Sequence, residues 1–152
     1  MSKFASKILL ATDGSLEDSR AAEIAANLSG AFDSELHLVY VEPIPEAYAW
    51  TEAVINPEFG NELRERAEKD SRTKLDQEVE KIKDLGGEVG KVHARLGRPD
   101  SEIVQLAEEI GADLVVLGSR GIGLLRRALM GSVSSSVVRH THCSVLVVRD
   151  DA

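Results

Sequence analysis

The sequence predicts an α/β protein with an open, doubly wound, five-stranded parallel sheet and helices on both faces. Short apolar runs rich in β-branched residues recur along the chain, each bounded by turn residues, as expected of buried parallel strands. Helical patterns separate these runs, and alternating strands and helices prescribe right-handed crossovers within one sheet. Aromatic residues make up only 4% of the chain, so the core must be aliphatic, as is usual between a sheet and its covering helices.

The five strands differ in how strongly the sequence marks them. One, at residues 88–95, alternates polar and apolar residues and contains Gly90, so it is predicted to be partly exposed. The other four are short and mostly apolar, and are predicted at residues 6–12, 35–41, 113–118 and 144–149.

Two helices are marked at both of their ends. Ser15 and Asp18 approximate a capping box for a helix that is predicted to end near Ser29–Gly30. Pro99 suits the first position of another helix, in which apolar residues repeat at helical spacing as far as Gly111.

A longer helix is predicted over residues 61–85. Apolar residues from Leu63 to Leu85 form one stripe among dense alternating charges, and Gly86–Gly87 close the segment. The charged surface is either a partner-binding face or a solvated face with i,i+4 ion pairs, and the solvated face is favoured.

The segment from residue 42 to residue 60 does not fit the alternation. It contains three of the four prolines and, with Tyr40 just before it, four of the six aromatic residues. Such a long connection is either a functional lid or padding over the end of the sheet, and the sequence leaves both open.

Composition restricts the class of protein. The 152 residues suit a single domain spanning 1–152, and the net charge of −8 argues against binding to nucleic acid or to an anionic membrane. Cys143 is the only cysteine, which excludes an internal disulfide and a cysteine-rich zinc module. No apolar run is long enough for a membrane span, so a cytoplasmic protein is expected.

Candidate chemistry lies where the predicted strands end, because ligands of open α/β sheets bind beyond the carboxyl ends of the strands. These ends carry residues 11–15, 41–42 and 117–123, and residues 131–136 (Gly-Ser-Val-Ser-Ser-Ser) open the last helix. A helix N-terminus offers unpaired N–H groups, glycine permits close approach, and serine adds hydroxyl donors. The pattern predicts a phosphate cradle.

The charge distribution points to the same part of the chain. Between Leu114 and Arg149 there are five arginines and no acidic residue, a net charge of +5 against −13 for the remainder. Such a local field favours anions, although a structural or dimer-contact origin stays open. Neither a Walker A loop nor the dinucleotide G-x-G-x-x-G pattern is present.

Three separated elements carry a resemblance to a known family. They are I-L-L-A-T-D-G-S at residues 8–15, Gly118-x2-Gly121-x9-Gly131-Ser132, and H-C-S-V-L-V-V-R at residues 142–149. In this order and spacing the chain resembles the ATP-binding branch of the universal stress protein family along nearly its whole length. It departs from the family's usual ending, because Ser144 stands where a proline commonly precedes the last strand.

The resemblance implies a strand order of 3-2-1-4-5, a homodimer, and ATP bound together with Mg²⁺ between the first and fourth strands. Contacts with adenine are implied for Ala11 and Val41, and Asp13 would face the ribose or a phosphate-bound Mg²⁺. The floor and phosphate turn would be formed by Leu117, Gly118 and Gly121. The phosphate donors would be Gly131, Ser132, Val133 and Ser134.

These residues also have purely structural interpretations. Asp13 and Ser132 could be helix caps, and Gly118 and Gly121 could serve turns alone. The segment His140-x-His142-Cys143 invites a metal interpretation, but no fourth ligand is evident, so no metal ligand is assigned. These three residues are interpreted as packing residues, with Cys143 a small buried hydrophobe.

Three function classes remain, and a nucleotide-binding regulatory module is favoured. Phosphoryl transfer needs a positioned base, and the carboxylates at the strand ends are only Asp13 and Glu42, so no catalytic residue is assigned. A slow ATP hydrolase and a nucleotide-free dimeric interaction protein stay open as alternatives.

The implied strand order makes residues 144–149 an edge strand, and it contains four consecutive apolar residues, Val145 to Val148. An apolar edge is a liability in a monomer. The sequence therefore predicts a homodimer through this strand. In the alternative, the loop at 42–60 or the C-terminal tail covers the edge and the chain is monomeric.

Overall fold

A computed structural model describes residues 5–13, 19–43, 57–119 and 131–149. Strands and helices alternate through these ranges. In chain order the elements are β1 (Lys7–Thr12), α1 (Ser19–Phe32), β2 (Glu35–Glu42), α2 (Pro57–Asp84), β3 (Lys91–Leu96), α3 (Pro99–Ile110), β4 (Leu114–Gly118), α4 (Ser132–His140) and β5 (Ser144–Val148).

The strands form one five-stranded parallel sheet in the order β3-β2-β1-β4-β5. The first strand lies in the centre, so that Ile8 is in register with Leu36 of β2 on one side and with Leu114 of β4 on the other. The predicted α/β fold and the strand order implied by the resemblance are both confirmed. The four apolar strands begin and end within one residue of their predicted limits.

Each face of the sheet has its own hydrophobic core. Side chains such as Ile8 and Leu10 pack against α1 and α2, whereas Leu9 and Val39 pack against α3 and α4. Strands covered on both faces read as continuous apolar runs because both sets of alternating side chains are buried. Burial on both faces therefore accounts for the apolar runs of the central strands.

The turn that follows α2 approaches α1 closely. Gly86 has a φ of +85°, which suits a helix stop. A Cβ at Gly87 would lie 2.8 Å from Cβ of Ala26 and 2.9 Å from Cγ2 of Ile82. The predicted closure of the long helix at these glycines is confirmed, because only glycine permits this approach of the two helices.

Some predicted limits were wrong. The first helix continues past Gly30 to Phe32, because the left-handed residue is Asp33, at a φ of 51°. The long helix begins at Pro57 instead of residue 61 and ends at Asp84. Its predicted apolar stripe therefore fails at Leu85, which is 41% exposed.

The remaining strand, β3, is a partly exposed edge strand, as predicted. It begins at Lys91, three residues later than predicted, although the Gly90 N–H already donates to the Leu36 carbonyl at 2.8 Å.

Several predictions fall outside the described residues. They concern the capping box at Ser15 and Asp18, residues 44–56 of the proposed lid, Gly121, and three of the arginines, at 120, 126 and 127. Among the helices that the structure describes, none has the length and apolar character needed to cross a membrane.

Candidate functional site

Three side chains of the predicted adenine pocket share one buried cluster. Ala11, Val41 and Leu117 lie near the carboxyl ends of β1, β2 and β4, and they are 7%, 7% and 4% exposed. All three belong to the core beneath α3 and α4. Their side chains are therefore buried just beneath the carboxyl edge of the sheet.

Ser119 joins the end of β4 to the start of α4. Its N–H donates to the Val148 carbonyl at 2.8 Å, and its carbonyl accepts from the Gly131 N–H at 2.6 Å. The Ser134 hydroxyl donates to the same carbonyl at 3.1 Å. These bonds bring the two glycine-containing segments of the sequence pattern together. Ser119 is buried and was not predicted, since its role depends on a backbone carbonyl that has no sequence signature.

The first turn of α4 presents N–H groups at the carboxyl edge. Gly131 is the N-cap residue and has no side chain with which to accept from them, and the turn contains no acidic residue. The first N–H groups of a helix lack intrahelical acceptors, and the helix dipole makes this end attractive to anions. Ser132 is exposed, so its hydroxyl is available to a ligand.

Ser134 and Val133 have side chains that face the protein interior. Ser134 is 2% exposed, and its hydroxyl donates to the carbonyls of Ser119 and Gly131, both at 3.1 Å. Val133 packs against the core beneath α3 and α4. What these two residues offer a ligand is therefore their backbone N–H groups.

Two carboxylates lie within electrostatic range of each other near the end of β1. Glu78 of α2 is 3% exposed, and its pKa is raised, chiefly by burial and further by the negative charge of Asp13. Lys81 lies 3.1 Å from the Glu78 carboxylate and opposes this shift. The prediction of a solvated charged face is wrong at Glu78, which occupies the buried stripe of α2 with Leu75 and Ile82.

A second polar cluster, formed by Tyr40, Lys74 and Glu42, ties α2 to the end of β2. The Lys74 ammonium donates to the Tyr40 hydroxyl at 2.7 Å and lies 4.8 Å from the ring centroid. It also lies 3.9 Å from the Glu42 carboxylate. The hydrogen bond to Tyr40 raises the pKa of Lys74, whereas burial raises the pKa of Tyr40. The cluster fixes the strand end that carries Val41.

The arginines of the acid-free segment are not all near this edge. Arg139 lies in the last turn of α4, opposite the end that begins at Ser132, and seven residue steps along the helix place the two about 10 Å apart. Arg149 follows β5 at the carboxyl edge and is exposed. Of the two arginines described in this segment, only Arg149 can contribute its charge to the crevice.

The packing interpretation of His140 and His142 was wrong. Both side chains are exposed, because the helix ends at Thr141 in an extended conformation. Cys143 is half-buried and packs against the core beneath α3 and α4. Across the four described ranges, no group of three or more His, Cys, Asp or Glu residues could hold a metal ion.

The fold and the geometry of this edge place the chain in the class of open, doubly wound α/β proteins. In doubly wound α/β proteins the ligand crevice lies beyond the carboxyl ends of the strands, where strand order reverses. Here the reversal lies between β1 and β4, and the N-terminus of α4 is bonded to the end of β4 through Ser119.

Comparison with known proteins identifies the family. The family model described as "Universal stress protein family" matches residues 5–149, and the chain belongs to that family. Universal stress protein MJ0531 of Methanocaldococcus jannaschii is 35% identical over 94% of this chain and 81% of its own length. Universal stress protein YxiE of Bacillus subtilis is 35% identical over 94% of this chain and 98% of its own length.

Solved structures share the fold. The structure of the hypothetical protein MJ0577 superposes with a TM-score of 0.74 and 30% identity, covering 99% of both chains. A universal stress protein in complex with cAMP superposes with a TM-score of 0.67 and 24% identity over 97% of this chain and 98% of its own. One from Archaeoglobus fulgidus in complex with dAMP gives 0.63 and 22%, over 93% and 95%.

Proposed function

We propose that this protein is an ATP-binding regulatory or signalling module of the cytoplasm that holds ATP with Mg²⁺ in the crevice between β1 and β4. The observation that carries the proposal is the pair of bonds at Ser119, which sets the uncapped start of α4 beside the end of β4. A glycine-flanked helix N-terminus at a topological switch point is suited to phosphate.

The described residues fit an adenine nucleotide in two parts. In the proposal, backbone groups at Ala11 and Val41 would form hydrogen bonds with the edge of adenine, close to the apolar Leu117. The phosphate oxygens would accept hydrogen bonds from the N–H groups of residues 132–134 and from the exposed Ser132 hydroxyl. Gly118 and Gly131 lack the Cβ atoms that would otherwise occupy phosphate space.

Asp13 accounts for Mg²⁺ in the proposal. A carboxylate close to phosphates repels them unless a cation or a ribose hydroxyl lies between, and Glu78 adds a second negative charge nearby. Carboxylate and phosphate oxygens are the ligands that Mg²⁺ prefers. When bound, the ion would neutralise this charge, and Asp13 would hold it or its water shell.

The solved complexes support the adenine part of the proposal. cAMP and dAMP are both adenine nucleotides, and the proteins that bind them share this fold. A binding role is favoured over catalysis, because the proposal gives each carboxylate near the crevice another role. Asp13 faces Mg²⁺, Glu42 lies 3.9 Å from the Lys74 ammonium, and Glu78 is buried against Lys81.

Calorimetric titration of the purified protein with MgATP and MgGTP tests the proposal. We expect ATP to bind at least about tenfold more tightly than GTP, a difference of about 1.4 kcal/mol. Mass analysis of nucleotide released on denaturation should identify ATP. Absence of heat and of any thermal shift at millimolar MgATP would overturn the proposal, whereas rapid steady hydrolysis would make the protein an enzyme.

We also propose a homodimer through β5. Leu146 packs against one core, and Val145 and Val147 against the other, so both faces of this edge strand are partly covered within the chain. Antiparallel pairing with a second copy would satisfy the outward backbone groups in both chains. Light scattering should give twice 16.5 kDa, and Val147→Pro should give the monomer mass with native helix content. A wild-type mass of one chain would refute the dimer.

A further inference from the structure

Two histidines and a glutamate form a hydrogen-bonded relay, away from the nucleotide crevice. Nδ1 of His37 in β2 lies 2.9 Å from Nε2 of His93 in β3. Nε2 of His37 lies 2.7 Å from a carboxylate oxygen of Glu35. The imidazole rings lie side by side and nearly coplanar, with centroids 5.2 Å apart and planes 7° apart. The relay links the edge strand β3 to its only neighbouring strand in the sheet as described.

The relay is buried in the middle and accessible to solvent at its two ends. The Glu35 side chain is 45% exposed and the His37 side chain 3%, while His93 on the edge strand is half-buried. Protons can therefore reach both ends of the relay, at Glu35 and at Nδ1 of His93, without passing through the core.

Hydrogen-bond chemistry determines where the protons lie. An ionised Glu35 only accepts, so Nε2 of His37 must carry a proton. In the neutral pair Nδ1 of His37 is then an acceptor, and Nε2 of His93 donates to it. Nδ1 of His93 is left without a proton, and both histidines are the Nε2–H tautomer.

The number of protons determines whether the pair stays together. One added proton enters at Nδ1 of His93, and the bond between the rings survives, because its proton can lie on either nitrogen. The positive charge is then balanced by Glu35. A second added proton places an N–H group on both facing nitrogens, which are 2.9 Å apart, so the bond between the rings is replaced by repulsion.

The surrounding positive charges make the uptake of protons by the histidine pair less favourable. Lys91 and Arg95 lie on the same face of β3 as His93, and burial, His37 and these two residues lower the pKa of His93. Glu109 of α3 acts in the opposite direction but is bonded to Arg95. On the β1 side, Lys7 is in register with Glu35 and donates to the Ile110 carbonyl at 3.0 Å.

We propose that the Glu35–His37–His93 relay is an acid-sensitive latch on the edge strand β3, which keeps its bond on taking up one proton and opens on taking up a second. Opening loosens β3 from β2. The effect reaches the carboxyl edge, because the Gly97 N–H that follows β3 donates to the Glu42 carbonyl at 3.0 Å. None of the three relay residues belongs to the proposed nucleotide crevice.

The direction of the pH effect follows from His93. Because its pKa is lowered in the folded protein, the unfolded chain binds more protons below the ordinary histidine pKa of about 6.5. The stabilisation from the neutral pair is complete above that pH and declines as the pH falls and His93 takes up the first proton. The bond between the rings opens only at a lower pH, when the pair takes up its second proton.

Amide hydrogen exchange with three proteins tests the latch. The comparison is between wild type, His93→Gln and the exposed control His142→Gln. Glutamine at 93 can still donate to Nδ1 of His37 but cannot take up a proton. After correction for intrinsic rates, the opening of residues 91–96 relative to β1 should rise about tenfold from pH 7.5 to 5.0 in wild type and His142→Gln, a change of about 1.4 kcal/mol in the free energy of opening. It should be unchanged in His93→Gln. Equal increases in all three proteins would overturn the proposal.

Imidazole ¹⁵N spectroscopy of wild type decides the matter even if His93→Gln fails to fold. At pH 8 both histidines should be Nε2–H tautomers. On acidification the pair should take up one proton while the β3 signals stay native, and those signals should change with the second. An Nδ1–H tautomer at His37, or uptake of two protons with native β3 signals, would contradict the latch.

Discussion

The two ends of the sheet differ in whether side chains satisfy their polar backbone groups. At the amino end, the Asp113 carboxylate accepts from the N–H groups of Ser6 and Lys7 at 2.8 and 3.0 Å. At the carboxyl end, α4 begins at Gly131, which has no capping side chain, and Asp13 and Glu78 repel each other. Backbone groups that side chains satisfy internally support the fold. Uncapped N–H groups are suited to an anionic ligand, and two like negative charges are suited to a cation. Substitutions at the amino end should therefore lower stability, and substitutions of the ligand-facing groups at the carboxyl end should lower affinity.

The largest effect is expected for Gly131→Val. The backbone there is extended, with φ −64° and ψ 167°, a conformation that valine adopts without strain. We expect the fold to persist and MgATP affinity to fall at least about 100-fold, or about 2.7 kcal/mol. The matched control is Gly30→Val, at a glycine where an added Cβ would meet nothing within 4 Å beyond its own stretch of helix. Normal calorimetric binding by Gly131→Val would locate the phosphates elsewhere.

Asp113→Ala tests the amino end. Two backbone N–H groups lose a charged acceptor, although water can partly replace it because both bonds are exposed. We expect urea unfolding to show a loss of about 1.5 kcal/mol with unchanged MgATP affinity. Asp113→Asn retains an acceptor oxygen and should recover part of the loss. A change in affinity would break the proposed separation between the two ends.

Asp13→Ala should lower MgATP affinity about tenfold, or about 1.4 kcal/mol. If Asp13 were only a helix cap, its removal would instead lower stability by about 1 kcal/mol and leave affinity unchanged. Asp76→Ala removes an exposed carboxylate of α2 and serves as the control for net charge. In EDTA the loss of affinity should disappear. Asp13→Ala should then bind free ATP at least as well as wild type, because the Asp13 carboxylate no longer repels the phosphates.

The smallest effect is expected from the serines at the start of α4. Ser134→Ala removes a buried hydroxyl that bonds two carbonyls and should destabilise the protein by about 1 kcal/mol, with little change in affinity. Ser132→Ala removes an exposed hydroxyl and should do the reverse, lowering MgATP affinity about threefold. Thermal melting and calorimetry on both variants separate the roles, and identical behaviour would contradict the assignment.

The fold could be predicted because it depends on patterns within single elements. The apolar run of β4 and the spacing from Pro99 to Gly111 are complete in the sequence, and both elements agree with the structure. The helix stop at Asp33 could not be predicted, because a left-handed aspartate has no distinctive neighbours and Gly30 offered a more familiar signal.

The site could be predicted only in part, for a related reason. The glycines around β4 and α4 can be recognised from the sequence, because they form a spaced glycine pattern. Ser119 acts through its backbone, and Glu78 is buried by a helix whose charge pattern resembles a solvated face. His37 and His93 are 56 residues apart and meet only because β2 and β3 pair in one particular register. Pairings of this kind depend on tertiary register, which periodicity does not encode.

The central position of β1 has a consequence for synthesis. β2 and β3 follow it directly and can pair on one side as the chain emerges, but β1 ends at Thr12 and its other neighbour begins at Leu114. At ribosomal rates of about 5–20 residues per second, this interval lasts roughly 5–20 s. Throughout it, the side of β1 that later meets Val115 and Val116 offers an unpaired, apolar strand to whatever surrounds the nascent chain.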